Sequence, residues 1–271
     1  MPELPEVETT RSGIEPHIKN QNISRVEIHN HSMRWPIPKD LPKLANRRKI
    51  QSVDRRGKYL LIKLSNGTII IHLGMSGSLR ISTAEKPLRK HDHFVLSLAS
   101  GKQLRLYDPR RFGAVLWWGA DLNDHPLLSS LGPEPLEDLF TAAYLHNTCS
   151  NRKVSIKQHI MNSKVVVGAG NIYASEALFR AGINPKRKAG SVSLSRCEKL
   201  VTAIKSVLTE SIRQGGTTLK DFLRENGEPG YFKQQLKVYD RANEPCPECG
   251  NSIKQIVLGQ RSTFYCTLCQ R

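Results

Sequence analysis

The sequence lacks any long apolar run. None of its 271 residues lies in a stretch approaching the roughly 20 apolar residues that a membrane-spanning helix needs. The opening residues, MPELPEVETT, contain neither the basic segment nor the apolar segment of a secretory signal peptide. We therefore expect a soluble, cytoplasmic protein that does not engage a membrane.

Acidic residues are scarce relative to basic ones. The chain has 24 Asp and Glu residues against 41 Lys and Arg residues, which gives a formal net charge of +17. A field of this sign attracts polyanions, so the composition favours a nucleic-acid partner. A basic solvated surface, or an RNA-associated protein with diffuse charge, has the same composition, and the type of nucleic acid stays open at this point.

Cysteines that could form disulfides are few, because only Cys149 and Cys197 stand alone. The other four form two C-x2-C pairs near the C-terminal end, at Cys246, Cys249, Cys266 and Cys269. Four thiolates at this spacing satisfy a tetrahedral zinc ion and leave no open coordination position, whereas a redox site needs only one pair. The pattern predicts one structural zinc in a small hairpin, with Arg261 at the hairpin tip.

Residues 1–132 are predicted to form a β-sandwich with one flanking helix. Pro5 suits the first turn of a helix over residues 5–19, and Val7, Ile14 and Ile18 fall on one face. Short β-branched or aromatic runs with turn formers between them predict the strands, since no helices intervene as parallel pairing would require. The predicted strands are Tyr59–Leu64, Thr68–Leu73, Phe94–Ala99, Gln103–Tyr107 and Ala114–Trp118.

The pattern changes near Gly132-Pro133-Glu134-Pro135, and residues 133–225 are predicted to form a helical domain. Apolar residues spaced by four, from Leu200 to Ile212, are its clearest signal. Residues 151–188 have Glu176 as their one acid and predict a cationic surface that faces phosphate. The basic residues are Arg152, Lys153, Lys157, Lys164, Arg180, Lys186, Arg187 and Lys188. Residues 215–235 predict a mobile loop, and residues 226–271 hold its end and the zinc hairpin.

Three separated segments resemble formamidopyrimidine-DNA glycosylases. They are Met1-Pro-Glu-Leu-Pro-Glu-Val-Glu8, Asp108-Pro-Arg-Arg-Phe-Gly113 and the zinc hairpin. Further matches in the same order extend the likeness over the whole chain, at Gly57-Lys58-Tyr59, His72-Leu-Gly-Met-Ser-Gly77, Lys90-His-Asp-His93 and Gly170-Asn-Ile-Tyr-Ala-Ser-Glu176. The resemblance implies an α+β multidomain fold with a helix-two-turn-helix domain over residues 133–225, and no organic cofactor.

The activity that the resemblance implies is that of a bifunctional DNA repair glycosylase and AP lyase. It implies a monomer, in the bacterial nucleoid, that acts on double-stranded DNA containing oxidised purines or abasic sites. Removal of the initiator methionine would free the secondary amine of Pro2 as a nucleophile. Glu3 matches the family's acid, with Glu6 in support, and Lys58 matches a second acid or base. Arg261 matches the residue that contacts the phosphates flanking the lesion and assists δ-elimination.

DNA contacts also follow from the resemblance. Met75, Arg110 and Phe112 match the residues that fill the space left by an extruded base, because extrusion leaves a hole in the stack. His91 and Asn171 match phosphate ligands. Asn151 and Arg152 are added as backbone contacts, although Asn151 stands where a basic residue is more usual. Loop residues Thr217–Tyr239 are expected to close over the extruded purine.

Two alternatives stay open at this point. A sibling enzyme of the endonuclease VIII type shares the N-terminal proline, the helix-two-turn-helix and the zinc hairpin but prefers oxidised pyrimidines, and the PELPE start and the DPRRF run argue against it. A zinc-ribbon nucleic-acid-binding protein without catalytic activity would explain the charge and the cysteines. It would make the positions of Pro2 and Glu3 accidental.

Overall fold

The chain begins with a helix, α1 (Leu4–Ile18), in a computed structural model that describes residues 2–217 and 235–271. Two units of the chain have their own internal contacts, residues 1–129 with 214–231 and residues 130–213 with 232–271. The division into domains at residues 132 and 225 stays a prediction. Most of the predicted loop at 215–235, and of the lesion-capping stretch Thr217–Tyr239, lies outside the described residues.

The first unit contains two four-stranded antiparallel sheets. Its elements after α1 are β1 (Ile23–Ile28), α2 (Leu41–Ala45), β2 (Ile50–Arg56), β3 (Tyr59–Leu64), β4 (Gly67–His72), β5 (Ser78–Thr83), β6 (Asp92–Leu98), β7 (Lys102–Tyr107) and β8 (Ala114–Trp118). The strand order is β1-β6-β7-β5 in one sheet and β2-β3-β4-β8 in the other. Apolar side chains of both sheets share one buried core with Val7, Ile14 and Ile18 of α1. The predicted sandwich with a flanking helix is confirmed.

Three of these strands, β1, β2 and β5, are absent from the prediction. β1 and β2 each carry a register shift, between Ile23 and Arg25 and between Ile50 and Ser52 respectively. A bulge interrupts the two-residue alternation of buried and exposed side chains on which the prediction depended. Charged residues such as Arg55 and Arg56 also weaken the apolar signal of β2.

The second unit is helical before its C-terminal hairpin. Its helices are α3 (Ala142–Cys149), α4 (Ile156–Ile160), α5 (Asn171–Arg180) and α6 (Leu194–Arg213). The predicted helical character over 133–216 is confirmed only in part, because residues 131–141 contain two prolines and form no helix. On α6, Leu200, Ile204 and Leu208 are buried as the spacing predicted. Among the described residues, no helix combines the length and apolar character required to cross a bilayer.

The chain ends in an antiparallel hairpin of β9 (Lys254–Leu258) and β10 (Arg261–Tyr265). Gly259 and Gln260 connect the strands with φ of +55° and +61°, which are the two positive values of a type I′ turn. Such a turn follows the right-handed twist of the strands, so Arg261 begins β10 directly beside the turn. The predicted hairpin, with Arg261 at its tip, is confirmed.

Candidate functional site

Pro2 and Glu3 lie at the N-terminal end of α1. Pro2 is buried, and Glu3 is the N-cap residue with 3% of its surface exposed. The Glu3 backbone N–H donates a 2.8 Å hydrogen bond to Glu6 Oε2, and the Glu3 carboxylate accepts one from the Glu6 N–H. This reciprocal capping box satisfies two helix-terminal donors and holds both carboxylates in place. The structure therefore brings Glu3 and Glu6 together.

Glu6 also joins the start of α1 to a distant part of the sequence. Its carboxylate is fully buried, and Oε1 accepts a 2.8 Å hydrogen bond from the Thr217 backbone N–H. Gly216, with φ of +82°, lies so close that a Cβ there would approach Glu6 Oε1 to 3.1 Å. Glu6 thus contacts backbone amides on both sides, which holds Glu3 and Thr217 at a set distance.

Lys58 occupies the two-residue turn between β2 and β3. Gly57 precedes it with φ of +56°, whereas Lys58 itself has no positive φ, which is the combination of a type II′ turn. The Lys58 side chain is half-buried. Lys58, which the sequence places just before an apolar strand, therefore lies in a tight hairpin turn. The turn restricts the directions in which the Lys58 ammonium can point.

His72 lies close to Lys58, and the sequence did not predict a function for it. Its Nδ1 accepts a 3.0 Å hydrogen bond from the Gly74 N–H, so the remaining ring nitrogen carries the proton of the neutral imidazole. Burial, with the positive charges of Lys58 and Arg34, lowers the pKa of His72 from 6.5 to about 4. His72 is therefore uncharged at neutral pH, and its Nε2–H is available as a donor.

A buried carboxylate organises the loop that contains Arg110 and Phe112. Asp108 is fully buried, its Oδ1 accepts a 2.7 Å hydrogen bond from the Ser76 hydroxyl, and its Oδ2 accepts one of 2.8 Å from the Gly113 N–H. These contacts close residues 108–113 into a short loop. Asp108 and Ser76 were missing from the predicted site because a buried aspartate has no local sequence signature of its contacts.

The loop that contains Met75 packs directly on the loop that contains Phe112. A Cβ on Gly74, which has φ of +62°, would lie 2.3 Å from the Phe112 backbone carbon, so only glycine permits this approach. Phe112 is 42% exposed, and the Arg110 guanidinium lies 4.9 Å from its ring centroid. Met75 is half-buried. The three predicted void-filling residues therefore lie on two loops in contact, at one edge of the first unit, and Phe112 lies outside the core.

His91 immediately precedes β6 and lies among aromatic and charged side chains. Its ring is half-buried, with its centroid 5.8 Å from that of Tyr107 and 5.9 Å from that of His93. The neighbouring Asp92 is buried and accepts hydrogen bonds of 2.6 Å from Arg80 Nη2 and 2.9 Å from the Arg89 N–H. This carboxylate fixes the turn that presents His91.

In the second unit, Asn171 is the first residue of α5. Its side-chain Nδ2 donates a 3.0 Å hydrogen bond to the Ser262 carbonyl in β10, immediately after Arg261. Lys157 reaches the same carbonyl at 3.2 Å and Thr263 Oγ1 at 2.8 Å. The structure thus brings Asn171 close to the predicted Arg261, and it connects both to α4.

Lys157 does not belong to the predicted cationic surface. Only 1% of this residue is exposed, so it contributes no surface charge, and Arg180 is paired with Glu210 at 2.6 Å. Arg152, Lys153, Lys164, Lys186 and Lys188 are exposed as predicted. The prediction was wrong for Lys157 because the first turn of α4 packs against β10 and buries this side chain. The pattern of charges along the sequence does not encode that contact.

Asn151 and Arg152 lie in the exposed turn after α3. Asn151 has φ of +59°, and the Arg152 carbonyl accepts a 2.9 Å hydrogen bond from the Gly190 N–H. Asparagine tolerates this left-handed conformation better than most residues, which gives Asn151 a backbone reason for its identity. Neither side chain has a described contact with the hairpin.

Arg261 is exposed and borders a cleft of about 180 Å³ between α4 and the hairpin. The cleft is lined by Lys157, Gln158, Met161, Asn162, Leu258, Gly259 and Arg261. Gln158 lies against the turn, since a Cβ on Gly259 would come within 2.6 Å of its Nε2. The helical part of this unit, and not the hairpin alone, therefore determines where Arg261 lies.

The four paired cysteines form a structural zinc site. Their sulfur atoms all lie within 4.8 Å of one another, with separations of 3.9 Å between Cys246 and Cys269 and 3.5 Å between Cys249 and Cys266. Zinc–sulfur bonds of about 2.3 Å in a tetrahedron place sulfur atoms about 3.8 Å apart, so the arrangement fits the ion. The predicted zinc ligands are confirmed as a group, and all four coordination positions are protein thiolates.

Comparison with family models divides the chain into three matched segments. Residues 1–115 match the formamidopyrimidine-DNA glycosylase N-terminal domain, residues 131–223 match the H2TH domain of the same enzymes, and residues 243–271 match a zinc finger found in FPG and IleRS. The predicted helix-two-turn-helix and zinc-finger assignments are confirmed.

Curated relatives and solved structures agree with these matches. Formamidopyrimidine-DNA glycosylases of Thioalkalivibrio sulfidiphilus and Escherichia coli are 56% and 55% identical over 271 residues, covering 100% of each chain. The structure of the Thermus thermophilus MutM (Fpg) protein has a TM-score of 0.89 at 37% identity, covering 99% of this chain and 98% of that one. Lactococcus lactis Fpg, in a complex with DNA containing an abasic site, has a TM-score of 0.92 at 31% identity over 100% of both chains. The chain belongs to the formamidopyrimidine-DNA glycosylase family of DNA repair enzymes.

Proposed function

We propose that this chain excises oxidised purines, such as 8-oxoguanine and formamidopyrimidines, from duplex DNA and then cleaves the abasic site by β,δ-elimination. The observation that carries the proposal is the buried carboxyl of Glu3 beside Pro2, held by the capping box with Glu6. Relatives of similar structure support the substrate class, since a mutant of L. lactis Fpg is complexed with Fapy-dG DNA and MutM with carbocyclic 8-oxo-G DNA.

The glycosylase step begins with the amine of Pro2 after removal of the initiator methionine. The nitrogen attacks C1′ of the sugar, the bond from C1′ to the base breaks, and the base departs with the electron pair. The proton that the Pro2 amine loses balances the proton that the departing base gains. Glu3 protonates the deoxyribose ring oxygen as the ring opens. The product is an iminium ion between Pro2 and C1′.

The lyase steps follow from the secondary amine. An iminium formed by proline has no N–H proton to lose, so it stays cationic and withdraws electrons from the sugar. The C2′ proton becomes acidic, and its removal expels the 3′ phosphate by β-elimination. We assign Lys58 as a second acid or base for these proton transfers. Arg261, on the zinc hairpin, neutralises the phosphate whose departure by δ-elimination completes a one-nucleotide gap.

Extrusion of the damaged base requires residues that take its place in the duplex, because unpairing and unstacking cost a few kcal/mol. The edge formed by Met75, Arg110 and Phe112 supports this function, since Phe112 is 42% exposed and stacked by Arg110. We assign Phe112 as the wedge at a base step, Arg110 as the contact to the orphaned cytosine, and Met75 as the occupant of the vacated space.

Phosphate contacts hold the duplex in register. We assign His91 and Asn171 as ligands of phosphate oxygens, and Arg152 with Asn151 as a further backbone contact. His72 suits the same task, because its neutral ring retains an Nε2–H donor. With many such contacts and a net charge of +17, binding should weaken steeply as salt increases. A flat salt dependence would argue against a phosphate-binding surface.

Borohydride trapping tests the proposal directly. The purified protein, incubated with an 8-oxoguanine duplex and sodium borohydride, should give a covalent protein–DNA adduct through its processed N-terminus. An undamaged duplex and a protein with an N-terminal extension are the controls, and both should give none. Absence of an adduct with the wild-type protein would reject the enzyme mechanism. Faster excision from a thymine glycol duplex than from the 8-oxoguanine duplex would favour the endonuclease VIII type instead.

A further inference from the structure

The guanidinium of Arg55 joins α1 to the turn that contains Lys58. Its Nε donates a 2.9 Å hydrogen bond to Glu8 Oε2 on α1, and its Nη1 donates one of 2.9 Å to the Gly57 carbonyl. Only 12% of the Arg55 side chain and 19% of the Glu8 side chain are exposed. Water therefore competes weakly for these charge-assisted bonds.

The bond to Gly57 acts on the part of the turn that determines the direction of Lys58. The Gly57 carbonyl belongs to the central peptide of the turn, and rotation of that peptide changes φ of the following residue. The rotated form, a type I′ turn, would require positive φ at Lys58, which lysine disfavours. The hydrogen bond from Arg55 holds the peptide in the orientation seen, and so restricts the path of the Lys58 side chain.

The hydrogen bond from Arg55 to Glu8 connects this turn to α1, whose N-terminal end is the proposed catalytic region. Glu8 is the fifth residue of α1, about one helical turn from its first residue, Leu4. Burial by itself would raise the pKa of Glu8, but hydrogen bonds from Arg11 and Arg55 lower it below its ordinary value, so the carboxylate stays ionised. A helix of this length is rigid over one turn, so the contacts of Arg55 with Glu8 and Gly57 connect α1, which begins two residues after Pro2, to the turn that contains Lys58.

We infer that Arg55 is a positioning residue, which holds Lys58 at a set place relative to Pro2 and Glu3 during the elimination steps. This inference rests on the proposed function of Lys58. Arg55 need not touch the substrate, because its effect passes through the Gly57 carbonyl. Displacement of a catalytic group by about 1 Å can lower a rate on the order of 100-fold, so even a small shift of the turn is measurable.

The chain offers a matched control in Arg11. Arg11 donates to Glu8 Oε1 from Nε at 2.9 Å and also pairs with Glu15, but its hydrogen bond to the backbone goes to the Val53 carbonyl in β2, at 3.2 Å, and not to the turn. Arg11→Gln and Arg55→Gln each remove one partner of Glu8. Similar melting temperatures with different activities would therefore separate a positioning function from loss of stability.

The experiment measures single-turnover cleavage of an abasic-site duplex, with borohydride trapping in parallel. We expect Arg55→Gln to lower the cleavage rate by about 10-fold to 100-fold with little change in duplex binding, and Arg55→Lys to recover part of it. We expect Arg11→Gln to stay within about 2-fold of wild type, because Arg55 still connects Glu8 to the Gly57 carbonyl in that variant.

A double-mutant cycle with Lys58→Ala decides whether the effect passes through Lys58. If it does, adding Arg55→Gln to Lys58→Ala causes no further loss beyond about 2-fold, because coupled residues are not additive. Independent, multiplicative losses, or wild-type activity of Arg55→Gln, would overturn the inference while leaving the proposed function intact. A wild-type protein without any trapped adduct would overturn both.

Discussion

The ammonium of Lys157 donates a 2.8 Å hydrogen bond to Thr263 Oγ1, so a buried cation on α4 anchors the strand that begins with Arg261. The same ammonium contacts the Ser262 carbonyl at 3.2 Å, where Asn171 also donates. The residue proposed to assist δ-elimination is thus held both by zinc and by two donors from the helical part of its unit.

Substitution of Lys157 should therefore loosen the hairpin without removing the metal. Lys157→Met deprives the Thr263 hydroxyl of a buried partner, and we expect a loss of about 1–3 kcal/mol in the free energy of unfolding. Thermal denaturation measures this loss, and metal analysis should still find one zinc per chain. Lys153→Met, at an exposed position of the same segment, is the control and should change stability little. Equal melting temperatures for the two variants would contradict the prediction.

Removal of zinc should weaken DNA binding and strand cleavage together. The hairpin has only a small core, formed by residues such as Phe179, Val238, Ile253 and Phe264, so the ion supplies much of its folding free energy. Chelation, or Cys249→Ser, should lower abasic-site cleavage and duplex affinity in parallel. Cys197→Ala removes a buried thiol outside the zinc site and should retain both. Normal excision of 8-oxoguanine by metal-free protein would refute the link.

A primary amine can replace the proline nitrogen in part. Pro2→Gly leaves an N-terminal amine that still forms a Schiff base, so we expect residual lyase activity and a trappable adduct. A residue added before Pro2 converts the amine to an amide and should abolish both. Intact-mass measurement shows whether the initiator methionine has been removed, and full activity with that residue retained would contradict this prediction.

Stability should fall between pH 6.5 and pH 4 because of His72. Its folded pKa of about 4 lies below the ordinary value of 6.5, so the unfolded chain binds the proton first as pH falls. The stabilisation is fully present above pH 6.5 and is lost on the way to pH 4, with a magnitude of about 3 kcal/mol. His72→Asn removes the titration and keeps an acceptor for Gly74. Parallel pH–melting curves for the two proteins would reject the assignment.

Phe112→Ala should impair base excision more than cleavage of a preformed abasic site. The first reaction requires extrusion of a base, whereas the second has no base to extrude. Because 42% of Phe112 is exposed, we expect stability to change by less than about 1 kcal/mol. Leu88→Ala, at a residue 46% exposed, controls for the loss of an exposed apolar side chain. Equal losses in both reactions would argue against a wedge.

Much of the site could be predicted because its signals are local. The two C-x2-C pairs, the hairpin between them and the start of α1 each occupy a few consecutive residues, and the family segments fall in fixed order along the chain. The strands β3, β4 and β8 could likewise be predicted, because each is an apolar run of five or six residues. The bulged strands β1 and β2 were not predicted, because an inserted residue breaks the two-residue alternation of buried and exposed side chains.

The amino-acid sequence by itself determined the zinc ligands, the sandwich and helical segments, and the family, because each depends on residue types at short, fixed spacing. Only the tertiary structure decided that Lys157 is buried under β10 and that Glu6 joins Glu3 to Thr217. Lys157 and Thr263 are 106 positions apart, and Arg55 and Glu8 are 47 apart. Contacts over such separations are set by how packed elements meet, and no local pattern of charge or hydrophobicity encodes them.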